Sequence, residues 1–209
     1  ENVTIDDGDD FPSTEYMENY TAILWVSGNA TNSLTAADAT GLASYLAKWG
    51  RVWLQGSNST RQTDTGTPGG FMDSYFGVAS AVQNQALSGA ISGVTGDALG
   101  HGIRYGTAAG ALYDAITPGA GGTGYLRNSA PGSHPGVRSN VYHTAVNAFS
   151  MADLADGGWQ MPTASEARQE LAFLILDWLG RPEARSELKI ACVDVNVSDL
   201  HPQIGNSYV

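Results

Sequence analysis

Residues 21–56 spell TAILWVSGNATNSLTAADATGLASYLAKWGRVWLQG, and they divide into a strand, a helix and a second strand. Residues 21–27 and 51–55 are nearly continuous apolar runs that end at glycines, a pattern typical of strands buried on both faces. Between them, apolar residues recur at i, i+3, i+4 and i+7, the spacing of one helix face. These residues are Leu42, Tyr45, Leu46 and Trp49. The stretch therefore predicts a right-handed βαβ unit with two parallel strands.

Both ends of this helix carry sequence signals. Thr35 and Asp38 have the spacing of a capping box, with Asp in the place of the usual Glu. Gly50 stands where a residue in the left-handed conformation commonly follows a helix. We therefore expect a helix that begins after Thr35 and ends before Gly50.

The last third of the chain predicts a further strand and helix. Residues 140–149 predict a strand, and Thr163 with Glu166 marks the start of a helix that Gly180 and Pro182 end. The predicted buried stripe of this helix is Ala167, Leu171, Leu174, Ile175, Trp178 and Leu179. Residues 71–76 predict a short helix before Gly77. Residues 92–138 contain twelve glycines, so we expect short strands and long loops beyond the sheet edge there.

The C-terminal segment has a different character. Residues 188–197 alternate with the two-residue period of a strand, and no partner strand follows in the sequence. We therefore predict two parts, a core domain of residues 1–181 and a linker with a β-strand extension at residues 182–209. An unpaired hydrophobic strand favours pairing, so residues 188–209 are expected to bind another domain or a second copy of the chain. The predicted interaction residues are Ile190, Val193, Val195 and Val197.

Composition excludes several classes of protein. The 209 residues include 10 basic and 21 acidic ones, which argues against a nucleic-acid binder because phosphate neutralisation needs a basic surface. No apolar run approaches the ~18 residues of a membrane-spanning helix. The single cysteine, Cys192, excludes a disulfide framework and a cysteine-based zinc site.

The surface composition favours an extracellular setting. Only 15% of the residues are charged, below the ~25% usual for soluble domains, and Gly, Asn, Ser and Thr are abundant. Five Asn-x-Ser/Thr sequons agree with export. The chain begins at Glu1 without an initiator Met, which is typical of a processed product. We predict a secreted or cell-surface location.

Residues 20–28, 34–38, 42–46 and 49–56 together resemble a known module. This is the class I glutamine-amidotransferase-like (flavodoxin-like) domain of secreted bacterial and archaeal proteases and surface proteins. Residues 148–151 and 168–180 are similar to its closing strand and helix, and the segment from Leu188 resembles the first strand of a following immunoglobulin-like domain. The likeness covers roughly residues 20–180, and it departs from the family pattern at Thr21 and Trp49, where Asp and Gly are usual.

The resemblance implies a fold but no activity. The implied fold is α/β, an open, mainly parallel sheet with helices on both faces, plus the C-terminal β-strand extension. Glutamine amidotransferases use a cysteine at a strand-to-helix elbow, and Cys192 comes after the last core helix. Amidotransferase chemistry is therefore not expected.

A serine-type hydrolase is one alternative function. Ser57 follows a parallel strand, at the sheet edge where α/β proteins bind ligands. His143 or His101 could act as its base, and Asp153 or Asp114 could orient that base. However, the Gly-x-Ser-x-Gly elbow that exposes such a serine is missing. The interpretation we favour is a turn serine.

Metal and glycan sites have little support in the sequence. Carboxylates clustered around a glycine suit calcium, yet their spacing is not that of an EF-hand, so we favour a solvated acidic turn with calcium as the alternative. These carboxylates belong to Asp6, Asp7, Asp9 and Asp10. The scattered histidines give no ligand pattern for a transition metal; they are His101, His134, His143 and His201. Among the tryptophans only Trp159 falls in a predicted loop, where it could bind glycan, and the others are expected in the core.

These observations favour a non-catalytic extracellular module with a structural or interaction role. It is expected to self-assemble through its C-terminal strand and to need no cofactor, except for the calcium alternative. The remaining alternatives are a serine-type hydrolase at the carboxyl edge of the sheet and a glycan-binding accessory module.

Overall fold

The computed structural model describes residues 3–6, 13–28, 34–61, 64–87, 89–128, 133–157, 161–180 and 190–194. The strands in chain order are β1 (Val3–Asp6), β2 (Ala22–Gly28), β3 (Arg51–Gly56), β4 (Val78–Ala86), β5 (Ala90–Gly93), β6 (Arg104–Thr107), β7 (Leu112–Pro118), β8 (Gly122–Arg127), β9 (Gly136–Ser139), β10 (Ala145–Asn147), β11 (Leu154–Ala155) and β12 (Ile190–Asp194). The helices are α1 (Thr14–Met17), α2 (Ala36–Ala47), α3 (Phe71–Phe76) and α4 (Ala164–Gly180), with a 3-10 turn at Met151–Asp153. None of the described helices is long and apolar enough to cross a membrane.

The βαβ unit predicted from residues 21–56 is confirmed. β2 precedes α2 in the chain and β3 follows it, and the two strands pair with each other in parallel. The capping box also forms, because the Thr35 side chain accepts a hydrogen bond from the Asp38 backbone N–H at 3.2 Å and the Asp38 carboxylate accepts one from the Thr35 backbone N–H at 2.6 Å. These local bonds explain why α2 begins directly after Thr35, as predicted.

The end of α2 differs from the prediction. Trp49, expected in the apolar stripe, takes the left-handed conformation with φ 68° and is 81% exposed. Gly50 has another role, since a Cβ there would lie 2.3 Å from the ring of Tyr45. The backbone passes so close to that ring that only glycine fits at position 50, and Trp49 takes the reversing conformation instead.

The prediction of a mainly parallel, flavodoxin-like sheet with helices on both faces is wrong. One sheet has the order β1-β12-β2-β3-β10-β9-β8-β5-β6-β11, and it is parallel only from β1 to β10. From β10 to β11 every pairing is antiparallel. The strands within residues 90–139 are short and are joined by turns. Antiparallel strands can be joined in this way, whereas parallel strands would need crossover helices, for which these turns leave no room. The short strands expected in this region are therefore present, but β5, β6, β8 and β9 extend the main sheet and do not lie beyond its edge.

The strand predicted for residues 140–149 is shorter than expected. Only Ala145–Asn147 form β10. His143 adopts the left-handed conformation with φ 51°, which interrupts the extended backbone before the strand begins. The short helix predicted before Gly77 is confirmed as α3, and Gly77 follows it with φ 67°.

The C-terminal strand does not lack a partner within the chain. β12 lies between β1 and β2 and pairs in parallel with both, with Cys192 opposite Ile5 and Leu24. Both backbone edges of residues 190–193 are therefore used inside this sheet, which corrects the expectation of an unpaired strand at Ile190 and Val193. The likeness to an opening immunoglobulin-like strand is corrected in the same way. Val195, Val197 and the predicted boundary at 181/182 lie outside the described residues.

Two apolar clusters cover the parallel strands, one on each side. Successive side chains of a strand point to opposite faces, so Leu24 and Trp53 pack in the cluster that contains α4, while Ile23 and Leu54 pack in the cluster that contains α2. The predicted helix at 164–180 is confirmed, and its buried residues include Leu171, although Leu174 is only partly buried.

β4 and β7 form a separate antiparallel ribbon. β7 is the inner strand, because its backbone bridges Tyr113 to Phe149 and Ile116 to His134. The ribbon begins at a close backbone crossing, where a Cβ on Gly122 would lie 2.1 Å from the carbonyl oxygen of Gly77. β4 is the outer strand of the ribbon.

Candidate functional site

The carboxyl ends of β2, β3 and β10 lie side by side at one edge of the sheet. In open α/β sheets this edge is the usual place for a ligand. β2 ends at Gly28 and β3 ends at Gly56. The two strand ends approach closely, since a Cβ on Gly56 would lie 2.1 Å from the hydroxyl oxygen of Ser27, the residue before Gly28. The chain then turns through residues 57–61, and three residues of this turn, Asn58, Ser59 and Thr60, are buried.

A buried network of polar side chains fills this edge. The Asn147 amide donates to the Gln55 side-chain oxygen at 2.9 Å, and the Tyr125 hydroxyl donates to the Asn147 side-chain oxygen. The Gln55 amide donates to the Phe149 carbonyl, and the Ser59 hydroxyl donates to the Asn147 carbonyl at 2.9 Å. Burial raises the pKa of Tyr125 despite its bond to Asn147. The strand ends are thus joined by side chains of the protein itself.

A buried carboxylate extends this network. Asp114, on β7, is 1% exposed and accepts hydrogen bonds from the Thr60 hydroxyl at 2.7 Å and from the Asn84 backbone N–H at 3.2 Å. Burial raises the pKa of Asp114, and it outweighs the bonds from Thr60 and Asn84 and the positive charge of Arg61, which lower it. Asp114 therefore ties the turn after β3 to the β4–β7 ribbon. We call Gln55, Ser59, Thr60, Asp114, Tyr125 and Asn147 the edge network.

Replacing Asp114 tests whether the edge network is structural. Asp114→Ala leaves the Thr60 and Asn84 donors without an acceptor, so we expect a loss of about 1–3 kcal/mol in the free energy of unfolding. Asp114→Asn keeps the shape and one acceptor. Because the folded-state pKa of Asp114 is raised, its favourable contribution is present at low pH and is lost as the pH rises through that pKa. The Asn variant should therefore gain stability relative to the wild type as the pH rises above the unfolded-state pKa of about 3.9, measured by urea unfolding. A stability difference between the two proteins that does not change with pH would contradict this account.

The register of the sheet separates Ser57 from His143. β10 is parallel to β3 with Asn147 opposite Gln55, so Ser57 lies beyond one edge and His143 lies before the other. Ser57 is held in its turn by the Gly28 carbonyl, which accepts the Ser57 N–H at 2.9 Å and its hydroxyl at 3.4 Å. The pair suggested for nucleophilic catalysis is therefore not brought together.

Asp153, His101 and His134 take positions between strands, and His201 lies outside the described residues. Asp153 ends the 3-10 turn after β10, and burial raises its pKa more than the Ser150 backbone N–H lowers it. The Nδ1 atom of His101 accepts a hydrogen bond from the Gly96 N–H at 3.0 Å. His134 contacts the Leu126 carbonyl through Nδ1 at 2.8 Å. These contacts hold turns and strand ends in place.

His143 belongs instead to a stacked cluster that the sequence analysis missed. Its ring stacks on Trp178 at 5.3 Å between centroids, and the Arg138 guanidinium lies 5.9 Å from the same tryptophan ring. Arg138 also forms an ion pair with Asp97 at 2.7 Å, with side-chain exposures of 12% and 2%. Asp97 and Arg138 are 41 residues apart, on a turn and on β9, so no local sequence pattern could reveal the pair.

The Asp97 carboxylate is strongly stabilised in its charged form. Burial raises the pKa of Asp97. The Arg138 side chain and the backbone N–H groups of Gly100 and Leu99 together lower it by more than burial raises it, so the net shift is downward. Both N–H groups donate to one carboxylate oxygen at 2.9 Å. On the same face of the sheet, burial and the neighbouring Glu170 carboxylate raise the pKa of the Tyr105 hydroxyl.

The metal and glycan candidates mostly lie outside the described residues. Only Asp6 of the acidic group is described, as the last residue of β1, whereas Asp7, Asp9, Asp10 and the glycan candidate Trp159 are not. Within the described ranges, no group of three or more His, Cys, Asp or Glu side chains could hold a metal ion.

The outer edge of β4 is a second candidate site. β4 pairs with β7 along one side, and no other described strand pairs with it. Its residues 80 and 82–86 are exposed, and Val82 is 59% exposed. Its sequence, VASAVQNQA, contains no charged residue and no proline. Such an edge presents unpaired backbone donors and acceptors to an incoming strand.

Several solved structures are similar to this chain. A putative ThuA-like protein from Bacteroides uniformis has a TM-score of 0.53 at 10% identity, with 80% of this chain and 72% of that chain covered. The mmIFT52 N-terminal domain has a TM-score of 0.52 at 14% identity, with 84% of each chain covered. A putative GMP synthase protein from Thermoplasma acidophilum has a TM-score of 0.49 at 8% identity, with 79% of this chain and 78% of that chain covered. No protein-family model and no curated protein matches the chain.

The likeness to the ThuA-like protein supports a glutamine-amidotransferase-like fold. At such low identity it concerns the fold alone. The coarse resemblance noted in the sequence therefore holds, while its flavodoxin-like detail is corrected by the antiparallel strands from β9 to β11.

Proposed function

We propose that this protein is a non-catalytic interaction module that binds an extended segment of a protein chain at the outer edge of β4. The observation that carries the proposal is the nine-residue strand β4, which is uncharged, exposed at residues 80 and 82–86, and paired on one side only among the described strands. An added strand would bind through main-chain hydrogen bonds, and its alternate side chains would provide specificity. β4 thus takes the role that the sequence pattern predicts for residues 188–209.

The carboxyl edge of the sheet gives further support. Where an α/β enzyme would place its reacting groups, this chain places the edge network, whose side chains bond to one another and to the backbone. Ser57 and His143, the residues suggested for hydrolysis, lie at opposite edges. These contacts favour a structural role for polar residues that could otherwise serve chemistry.

The proposal includes an extracellular or cell-surface setting, as part of a secreted protein. Its support is compositional, namely the 15% of charged residues and the five sequons. Exported proteins often work as modules of larger surface assemblies, and an edge that receives a strand suits such a role.

Strand addition can be tested with peptides. A displayed library of random nine-residue peptides would be selected against the full chain, and the binders would be resynthesised with single N-methyl groups. In an antiparallel pair, alternate residues direct their N–H groups toward the neighbouring strand. We expect N-methylation to abolish binding at every second position and to be tolerated at the positions between, which serve as the matched control.

Hydrogen exchange locates the bound peptide. Binding should slow exchange of the amides of residues 79–83 in the full chain. Uniform tolerance of N-methylation, protection elsewhere in the protein, or failure to select any peptide would each count against the proposal.

A further inference from the structure

We infer that the strand received at the edge of β4 is β4 of a second copy of this chain, paired antiparallel about a two-fold axis at Val82. This inference rests on the proposed function, since it names the partner for the same edge. A two-fold interface must be self-complementary, because each residue meets a residue of the same surface. Three properties of β4 and its ends meet this requirement.

The first property is the neutrality of the strand. All nine residues of β4 are uncharged, in a chain whose formal net charge is −11. In antiparallel self-pairing about Val82, a charge near the middle of the strand would lie close to its own copy. Like charges directly opposite each other destabilise a strand pair, so neutrality removes the main electrostatic cost of self-pairing.

The second property is the opposite charge at the two ends of β4. Near its C-terminal end, the Arg61 guanidinium donates to the Asn84 side-chain oxygen at 2.5 Å. Near its N-terminal end, an added Cβ on Gly119 would lie 2.7 Å from an Asp73 carboxylate oxygen and 3.5 Å from the Ala79 Cβ, which places Asp73 beside Ala79. Antiparallel pairing about Val82 sets Ala79 opposite residue 85 of the second copy. Each Arg61 is thereby brought toward the Asp73 of the other copy.

The third property is the exposed apolar side chain at the centre. Val82 is the middle residue of Val78–Ala86 and is 59% exposed. With the axis at this residue, the two Val82 side chains cover each other and Ala81 lies opposite Gln83 of the second copy. Asn84 has φ 55° at an irregularity in the β4–β7 register, so the regular ladder is short. We therefore expect a weak, reversible dimer at the low end of interface sizes.

A charge-swap experiment tests the inference. Sedimentation of the full-length protein from nanomolar to high micromolar concentration should show a monomer–dimer equilibrium, with the dimer at twice the 21.9 kDa chain mass. Val82→Lys and Val82→Glu each place like charges on the axis, and each should weaken dimerisation about tenfold or more. An equimolar mixture of the two variants should recover dimers, because Lys then faces Glu.

Val141→Lys is the matched control. Val141 is 63% exposed and lies outside β4, so this variant should dimerise like the wild type. Urea unfolding of each variant checks that the fold is kept, as expected at exposed positions. A dimer unchanged by both Val82 substitutions would overturn the inference, and so would two variants that stay monomeric when mixed. A wild-type chain that is monomeric throughout, yet binds the selected peptides at residues 79–83, would overturn the second copy as partner and leave the proposed function standing.

Discussion

Arg138→Ala is expected to lower the free energy of unfolding by about 3–5 kcal/mol, the largest effect of any single substitution considered for this protein. Arg138 forms three contacts with the Asp97 carboxylate, at 2.7, 3.0 and 3.3 Å. The Asp97 side chain is only 2% exposed, so removing its partner leaves a buried charge that water cannot solvate. Urea unfolding at neutral pH measures the loss. Arg127→Ala, at an exposed arginine on β8, is the matched control and should change stability by no more than about 0.5 kcal/mol.

The pH dependence of this loss identifies its cause. In the wild type the pKa of Asp97 is lowered, so its contribution to stability is present above the unfolded-state pKa of about 3.9 and is lost as the pH falls through the folded-state value. Without Arg138, burial still raises the pKa of Asp97 and only the Gly100 and Leu99 N–H groups lower it, so the pKa of Asp97 in the variant lies above its wild-type value. The difference between the two proteins should therefore shrink on acidification. Adding Asp97→Asn to Arg138→Ala should recover part of the loss; a loss that is independent of pH and of residue 97 would point to lost packing against Trp178.

Gly122→Ala is expected to destabilise the protein by about 3 kcal/mol, at the upper end of the cost of overpacking. The added Cβ would lie 2.1 Å from the Gly77 carbonyl oxygen and 2.8 Å from its carbonyl carbon. Both are backbone atoms, which cannot move aside as the end of a side chain can. The same crossing is tight from the other side, since a Cβ on Gly77 would lie 2.3 Å from the Gly122 Cα.

Gly121→Ala provides the neighbouring control. A Cβ there would meet only the Val141 side chain, at 3.9 Å, so the change should be neutral or slightly stabilising. Urea unfolding compares the two variants, and hydrogen exchange shows where the structure opens. We expect the amides of the β4–β7 ribbon to lose protection first in Gly122→Ala. Equal stability of the two alanine variants would refute the importance of the backbone crossing.

Local signals explain which parts of the fold could be predicted. The βαβ unit and α4 have apolar periodicity and capping residues within a few positions of one another, as Thr35 and Asp38 show, so their conformation is decided nearby. The antiparallel strands β5, β6, β8 and β9 have only four to six residues each, and their conformation depends on pairing with other strands, as β5 does with β8. β12 likewise acquires its place between β1 and β2 only in the assembled sheet.

In the candidate sites, too, local features could be predicted from the sequence and contacts between distant residues could not. Sequence reasoning located the carboxyl edge through Ser57 but missed the bonds between Gln55, Asn147 and Tyr125, because these residues meet only after β3, β8 and β10 are in place. It also assigned Trp49 to the core, whereas the packing of Tyr45 on Gly50 turns that side chain outward. β4 has a weak strand pattern, and its significance lies in the edge that the sheet leaves open.

The crossing of Gly77 over Gly122 has a consequence for how this sequence can diverge. Because main chain meets main chain there, this end of the ribbon is held without the exposed side chains of β4, and residues 80 and 82–86 can change while the strand keeps its position in the molecule. Homologues should therefore differ widely along β4, in step with their binding partners, and still retain glycine at both crossing points.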